Sequence, residues 1–229
     1  MKTLAMETSG RRGSVAVWDS ANPAPPSEIS LPQEAQTAES LIVIIDQVIS
    51  KCGWSTGELD LICVTQGPGS FTGLRIGCVT AKVLAFAVDA KIVGVNTLDV
   101  LAENSSAGQP LWCVIDAGRG QCFVACYSID ASGHRQVSVE PQLMATETWL
   151  SRLTPNDRVT GPLLSTLGEL LPAGVEPLSS ESWMPRAEFV ARIGARNFEH
   201  GHTANLWDFS PNYFRLSAAE EKKNRAKQS

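Results

Sequence analysis

The chain has 229 residues, 43% of them hydrophobic and 19% charged, and a formal net charge of −5. That length holds one large domain or two small ones, with enough core to fold without a disulfide or metal staple. The acidic balance argues against a protein that grips nucleic acid through its own electrostatics, because such proteins are usually basic.

The N-terminus reaches Glu7 before the apolar region of a signal peptide could form. Residues 3–8 and 14–19 read as strands. Ser9-Gly10-Arg11-Arg12-Gly13 joins them as a hairpin turn with glycine at positive-φ positions. A Pro-rich loop and a short strand near Ile29 follow. Residues 33–52 predict a helix whose one apolar face carries Leu41, Ile44, Ile45, Val48 and Ile49, with Gly53 as its stop. Residues 61–65 form a continuous apolar run, as a central buried strand requires. A glycine-rich turn then opens a helix over 73–88, and a strand at 92–95 leads to a short helix capped by Thr97.

The order then restarts. Residues 111–116 and 121–127 predict strands about the turn Gly118-Arg119-Gly120, with a third strand near Val137 and a helix opened by Thr146. Residues 158–161 read as a strand, 162–171 as a helix, and 186–199 as an amphipathic helix opened by Pro185. The polar residues 220–229 read as a frayed end. The six cysteines, Cys52, Cys63, Cys78, Cys113, Cys122 and Cys126, lie mostly in apolar runs without a CxxC pair, which predicts buried, reduced thiols. No uninterrupted apolar run of about 18 residues occurs, so no membrane contact and a cytoplasmic location are expected.

Both halves share a hairpin, a third strand, then helix, strand and helix. Each hairpin opens with a strand-end carboxylate and a glycine turn carrying arginine: Glu7 with Ser9 and Gly10, then Asp116 with Gly118 and Arg119. Such internal similarity points to duplication. It predicts an α/β protein of the actin-like ATPase (ribonuclease-H-like) superfold, with two similar lobes, each a mixed sheet flanked by helices. In that plan paired hairpin turns hold a nucleotide's phosphates across a cleft. The lobes are expected at residues 1–100 and 101–229, with the final segment packing back on the first.

The strongest local signal is Gly67-Pro68-Gly69-Ser70-Phe71-Thr72-Gly73-Leu74-Arg75-Ile76-Gly77. A strand before it and a helix after it make it a possible anion turn. Its register fits neither a P-loop, nor a dinucleotide fingerprint, nor a nucleophile elbow. A tight turn capped by Ser70 or Thr72 is the plainer reading. Arg75 sits in the first helical turn, against the helix dipole, so it needs a partner: a structural carboxylate, a protein surface or an anion. Residues 74–88 are apolar almost all round, which predicts burial on more than one side.

The string GPGSFTGLRIG resembles the signature of the bacterial TsaB (YeaZ) family. Leu4 to Ser9 (LAMETS), Thr80-Ala81-Lys82, Val95-Asn96-Thr97-Leu98, Asp116-Ala117-Gly118-Arg119 and Pro211-Asn212-Tyr213-Phe214-Arg215 resemble further family elements, in order. The resemblance implies a role in making threonylcarbamoyladenosine beside the anticodon of ANN-decoding tRNAs. It implies a non-catalytic paralogue of TsaD that binds TsaD through its N-terminal-lobe helices, with the ATPase TsaE joining them; the apolar helix 73–88, with 33–52, points to binding of TsaD or to a homodimer in isolation. ATP and metal would belong to TsaD and TsaE, and tRNA would be met only indirectly. The partner-facing residues expected on helices 33–52 and 73–88 are Leu41, Ile45, Phe71, Leu74, Arg75 and Cys78. The motif residues at a possible anion or nucleotide turn are Glu7, Ser9, Gly10, Gly67, Gly69, Ser70, Thr72, Gly73, Asp116, Gly118 and Arg119. No metal ligands and no catalytic residues are expected.

The residues bear on this independently. Metal-carrying relatives place an H-x-x-x-H pair on the first long helix. Here that helix has no histidine, and Thr37 stands where many TsaB proteins have one. His134, His200 and His202 all lie in the second half, the last two at a solvated helix end. Glu7 replaces the family's usual Asp, and its extra methylene spoils the exacting geometry of a Mg²⁺ contact. Two rival readings stay open: an ATP-dependent kinase of a small metabolite on the same superfold, and a peptidase of the glycoprotease-like group. The basic residues 222–227 could supply weak phosphate contacts to tRNA within a complex.

Overall fold

The strands sort into two five-stranded sheets with the same plan, in a computed structural model that describes residues 1–22, 24–32, 37–105, 110–130, 135–167 and 170–214. In the first sheet β1 (Lys2–Glu7), β2 (Ser14–Asp19) and β3 (Ser27–Ser30) form an antiparallel meander. The strands β4 (Leu61–Gly67) and β5 (Lys91–Asn96) then add in parallel beside β1, giving the order β3-β2-β1-β4-β5. In the second sheet β6 (Leu111–Gly118), β7 (Gln121–Ile129) and β8 (Arg135–Ala145) form the meander. The parallel strands β9 (Arg158–Thr160) and β10 (Glu176–Pro177) complete the order β10-β9-β6-β7-β8. Read from the other edge, the two orders are the same.

Side chains alternate between the faces of a strand, and each sheet therefore builds two cores. Leu4, Met6, Val15, Ile62 and Val64 face outward under α1 (Thr37–Lys51) and α2 (Phe71–Val88). Ala5, Leu61, Cys63, Val93 and Val95 face inward and meet Val190, Ala191 and Ile193 of α6 (Ala187–Glu199). On the second sheet Trp112, Val114 and Val124 meet the region of α4 (Thr146–Leu150) and α5 (Leu164–Leu167), with Trp149 fully buried. Leu111, Cys113, Phe123 and Ala125 face inward and meet Leu98, Leu101 and Ala102 of α3 (Thr97–Glu103).

The inner helices exchange lobes. α3 ends the first half of the chain and covers the second sheet. α6 ends the second half and covers the first sheet. The two are tied by the Arg196–Glu103 ion pair. Asp99 of α3 accepts a 2.6 Å hydrogen bond from the Tyr127 hydroxyl of β7, and burial raises its carboxyl above the usual range.

Several local expectations change. Gly10 and Gly13 do not take positive φ. Gly13 is required by contact instead, because a Cβ there would stand 2.5 Å from Leu31 Cδ1 and 2.7 Å from the Glu7 carbonyl. The second hairpin does use the left-handed region, at Gly118, Arg119 and Gly120. Asn96, not Thr97, caps α3, by accepting the Leu98 N–H at 2.8 Å. α6 starts at Ala187, so Pro185 lies outside it, and Arg186 holds the N-cap position in extended backbone without a side-chain cap bond. Of the helix expected over 162–171, Leu164–Leu167 is α-helical and Leu170 is 3-10, while residues 168–169 lie outside the described residues. Pro172 biases the residue before it away from helix. The beginning of the helix expected at residue 33, His134, Arg215 and the basic residues 222–227 lie outside the described residues.

The 18 residues of α2 are apolar and long enough, by length and composition, to cross a membrane. Within this chain it is buried on one side only, not on more than one as expected: Leu74, Cys78, Ala81 and Ala85 are buried and Gly73 and Gly77 touch the end of β1, while Val79, Val83 and Phe86 are exposed.

Candidate functional site

The glycine-rich turn is built around the end of β1. β4 ends at Gly67, and Ser70 caps α2 by accepting the Gly73 N–H at 3.3 Å. The Ser70 N–H donates to the Ser9 carbonyl at 2.7 Å. A Cβ on Gly69 would stand 2.6 Å from the Ser9 carbonyl, on Gly73 2.0 Å from the Thr8 carbonyl, and on Gly77 2.2 Å from Thr8 Oγ1. These glycines let two stretches of backbone touch. Two amides that could face an anion, those of Ser70 and Gly73, are already committed within the protein. Thr72 is exposed beside the cap.

Glu7, at the end of β1, is completely buried. Its Oε1 accepts from the Ser9 N–H at 2.7 Å, from the Ser9 hydroxyl, and from Thr65 Oγ1 at 3.5 Å. Its Oε2 has no hydrogen-bond partner. Burial raises its pKa to about 7, against the opposing pull of the Ser9 bonds. An unpartnered buried oxygen is cheaper on a neutral acid than on a carboxylate. Asp116, the corresponding residue of the second hairpin, is exposed and folds onto its own turn, accepting the Gly118 N–H at 2.8 Å. Gly10 and Arg119 sit in their respective hairpin turns, the latter at a φ of 57°.

A cleft of about 320 Å³ lies between the first hairpin and the segment before α6, lined by Arg12, Ser14, Glu28, Ser30, Glu181 and Arg186 among others. Its Arg186 guanidinium is held by Glu28 at 2.9 and 2.7 Å and by Glu188 at 2.8 Å.

Four of the six residues expected to meet a partner are core residues. Leu41, Ile45, Leu74 and Cys78 are each at most 3% exposed. They lie on the stripes of α1 and α2 that cover the sheet, so no partner reaches them. Phe71 is half-buried and Arg75 stays exposed, but both are engaged within the chain. Tyr213 stacks on Phe71 at 4.7 Å, and the Arg75 guanidinium lies 4.0 Å over Phe71 and donates to the Tyr213 hydroxyl at 2.8 Å. The partner that Arg75 needs is thus a tyrosine rather than a carboxylate. The outward residues are Ile42 and Val43 on α1 and Val79, Val83 and Phe86 on α2, all more than half exposed, with Trp207 set edge-on to Phe86 at 5.7 Å. Sequence reasoning missed these. The signal for the first two was that they are apolar yet fall off the 3.6-residue stripe of their own helix.

Two lobes of one plan, each ending its first strand in a carboxylate and a tight turn, define an α/β protein of the actin-like ATPase superfold. The profile of the family described as tRNA N6-adenosine threonylcarbamoyltransferase (TsaD) matches residues 30–162. The tRNA threonylcarbamoyladenosine biosynthesis protein TsaB of Bacillus subtilis is 29% identical over 191 residues, covering 78% of this chain and 79% of that protein. The TsaB of Escherichia coli is 24% identical over 231 residues, covering 97% and 98%. The structure of YeaZ from Pseudomonas aeruginosa superposes with a TM-score of 0.77 at 20% identity, covering 93% of this chain and 99% of that one, which speaks for the fold. The chain belongs to the TsaB (YeaZ) family of tRNA threonylcarbamoyladenosine biosynthesis proteins.

A nucleotide with a divalent cation, the ligand of ATP-using members of the superfold, does not fit the residues at these turns. Glu7 is walled in with its carboxyl driven toward the neutral form, Asp116 is turned onto its own backbone, and the Ser70 amide is spent on Ser9. Among the described residues no group of three or more His, Cys, Asp or Glu could hold a metal.

Proposed function

We propose that this chain is a non-catalytic scaffold that binds TsaD, with TsaE joining the assembly, during threonylcarbamoylation of the adenosine beside the anticodon. The observation that carries the reading is the outward apolar face of α1 and α2. Exposed apolar residues scattered singly need no explanation, but a cluster on two adjacent helices marks an interaction surface. Here Ile42, Val43, Val79, Val83, Phe86 and Trp207 supply it. The family membership names the pathway. The net charge of −5 suits a subunit whose ligand is a protein and which meets tRNA only through it. In this reading the division into lobes falls near residue 100. The turns at Glu7 to Gly10, Gly67 to Gly73 and Asp116 to Arg119 brace the lobes rather than hold phosphates. In isolation the same apolar face serves a homodimer.

The test is co-expression with TsaD of the same organism. Co-purification, with tRNA modification that depends on both chains, is the expected result. No complex under any nucleotide condition, together with ATP hydrolysis by this chain alone, would sink the scaffold and favour the kinase.

A further inference from the structure

Between α6 and residue 214 the described residues form no helix or strand, yet the segment is fastened at almost every step. The Ala204 N–H donates to the Ile92 carbonyl at 3.0 Å. The Trp207 carbonyl accepts from Lys82 Nζ at 2.7 Å, and the Trp207 ring meets Phe86. Phe209 is 6% exposed and belongs to the outer core of the first sheet. Gln66, just before the glycine-rich turn, holds the segment twice: its side-chain amide donates to the Ser210 carbonyl at 2.6 Å, and its carbonyl accepts the Asn212 N–H at 2.7 Å. Gly67, at a φ of 130°, leaves room for this, since a Cβ there would stand 2.5 Å from the Asn212 carbonyl.

The next two residues then part company. Tyr213 turns to the first lobe, stacked on Phe71 and bonded by Arg75. Phe214 turns to the second, packing edge-on against Phe123 of β7 at 6.0 Å, on the inner face of that sheet. Phe123 pairs with Ile115, the residue before Asp116. The segment therefore crosses from the turn of one lobe to the hairpin of the other.

We propose that residues 203–214 are an interlobe clasp, in which Asn212 and Tyr213 hold the first lobe and Phe214 the second, and so fix the angle between the two sheets. The inner helices already join the lobes, but they lie between the sheets and can act as a hinge. The clasp adds a further tie, with Phe214 packed against the cluster that α3 and the second sheet share. Tyr213 is 40% exposed and Trp207 72%, so the fastening can be reached from solvent.

The test measures the distance between the lobes in the full chain. Cys52 is exposed and the other five thiols are buried, so spin labels attach at Cys52 and at a second site made by Arg152→Cys on the exposed surface of the second lobe. The expected result is one narrow distance distribution, at least doubled in width by Tyr213→Ala with Phe214→Ala. An unchanged width in a folded double variant overturns the clasp. Hydrogen exchange on the unsubstituted chain decides the matter if that variant does not fold. The Asn212 amide is expected to exchange at least about tenfold more slowly than a free peptide, and anything faster overturns the proposal.

Discussion

Gly73 lies so close to Thr8 that the carbonyl oxygen of Thr8 occupies the place of a side chain: a Cβ on Gly73 would stand 2.0 Å from it. The next glycine of α2 on that side, Gly77, meets the Thr8 side chain instead, at 2.2 Å from Oγ1. The two contacts predict different genetics. Gly73→Ala forces backbone apart and should cost about 3 kcal/mol or more. Gly77→Ala should cost less and be partly rescued by Thr8→Ala, whereas the same partner should not rescue Gly73→Ala. Urea midpoints of the four variants check this.

Buried Glu7 predicts a stability that falls as pH rises. Its carboxyl titrates near pH 7 when folded and near 4.5 when not. The folded state therefore binds more protons between those values, and stability drops as pH rises through that window. Below about 4.5 the contribution is whole, and above about 7 it is gone. The drop is on the order of 3 kcal/mol at 1.36 kcal/mol per unit. Glu7→Gln should flatten the profile between pH 5 and 8, measured by urea unfolding at each pH. A wild-type profile no steeper than that of the variant would refute the assignment.

The helical face separates two classes of substitution. Leu41→Ala and Leu74→Ala remove core side chains and should each cost about 2–5 kcal/mol. Val79→Asp and Val83→Asp fall on the outward face and should change stability by no more than about 0.5 kcal/mol. They should nevertheless abolish capture by TsaD in a pull-down. Loss of capture with the first pair alone would place the interface elsewhere.

Arg75→Lys keeps the charge but loses the planar contact with Phe71 and the bond from Nε to Tyr213. Arginine and lysine are not equivalent at a stacked site. A loss of about 1 kcal/mol is expected, with Tyr213→Phe losing part of it. A double-mutant cycle that shows no coupling between the two positions would contradict the geometry.

Thiol chemistry gives a simple count. Cys63, Cys78, Cys113, Cys122 and Cys126 are buried and Cys52 is exposed. Burial pushes Cys78 up to about 12 and Cys122 and Cys126 to about 11. Since the thiolate is the reactive form, a thiol reagent at pH 7 should label the native chain once and the denatured chain six times.

The order of elements was legible in the sequence because strand alternation, helical stripes and glycine turns are local signals. Leu41, Ile44, Ile45, Val48 and Ile49 form the buried stripe of α1 that their spacing predicts. Two of the residues expected to meet a partner, Leu41 and Ile45, belong to that same stripe and are buried. A stripe that fills the core is spent there, and only residues left over, such as Ile42 and Val43, can face outward. α2 offered no such guide, because Val79, Val83 and Phe86 are as apolar as the Leu74 and Cys78 they oppose. β10 is a two-residue strand of Glu176 and Pro177, held by backbone pairing to β9 without any side-chain pattern. The segment beyond α6 is fixed by contacts with residues more than a hundred positions away, and no local period encodes those.

The exchange of inner helices sets an order on synthesis. When residue 103 leaves the ribosome all five strands of the first sheet exist, but the helix that covers their inner face, α6, is made only at 187–199. Ala5, Leu61, Cys63, Val93 and Val95 stay uncovered until almost the whole second half has been translated. A nascent chain stalled at residue 186 should therefore bind an apolar dye that the full chain rejects. Gene fission at the lobe boundary should yield two fragments that are each insoluble alone and rescue one another when made together.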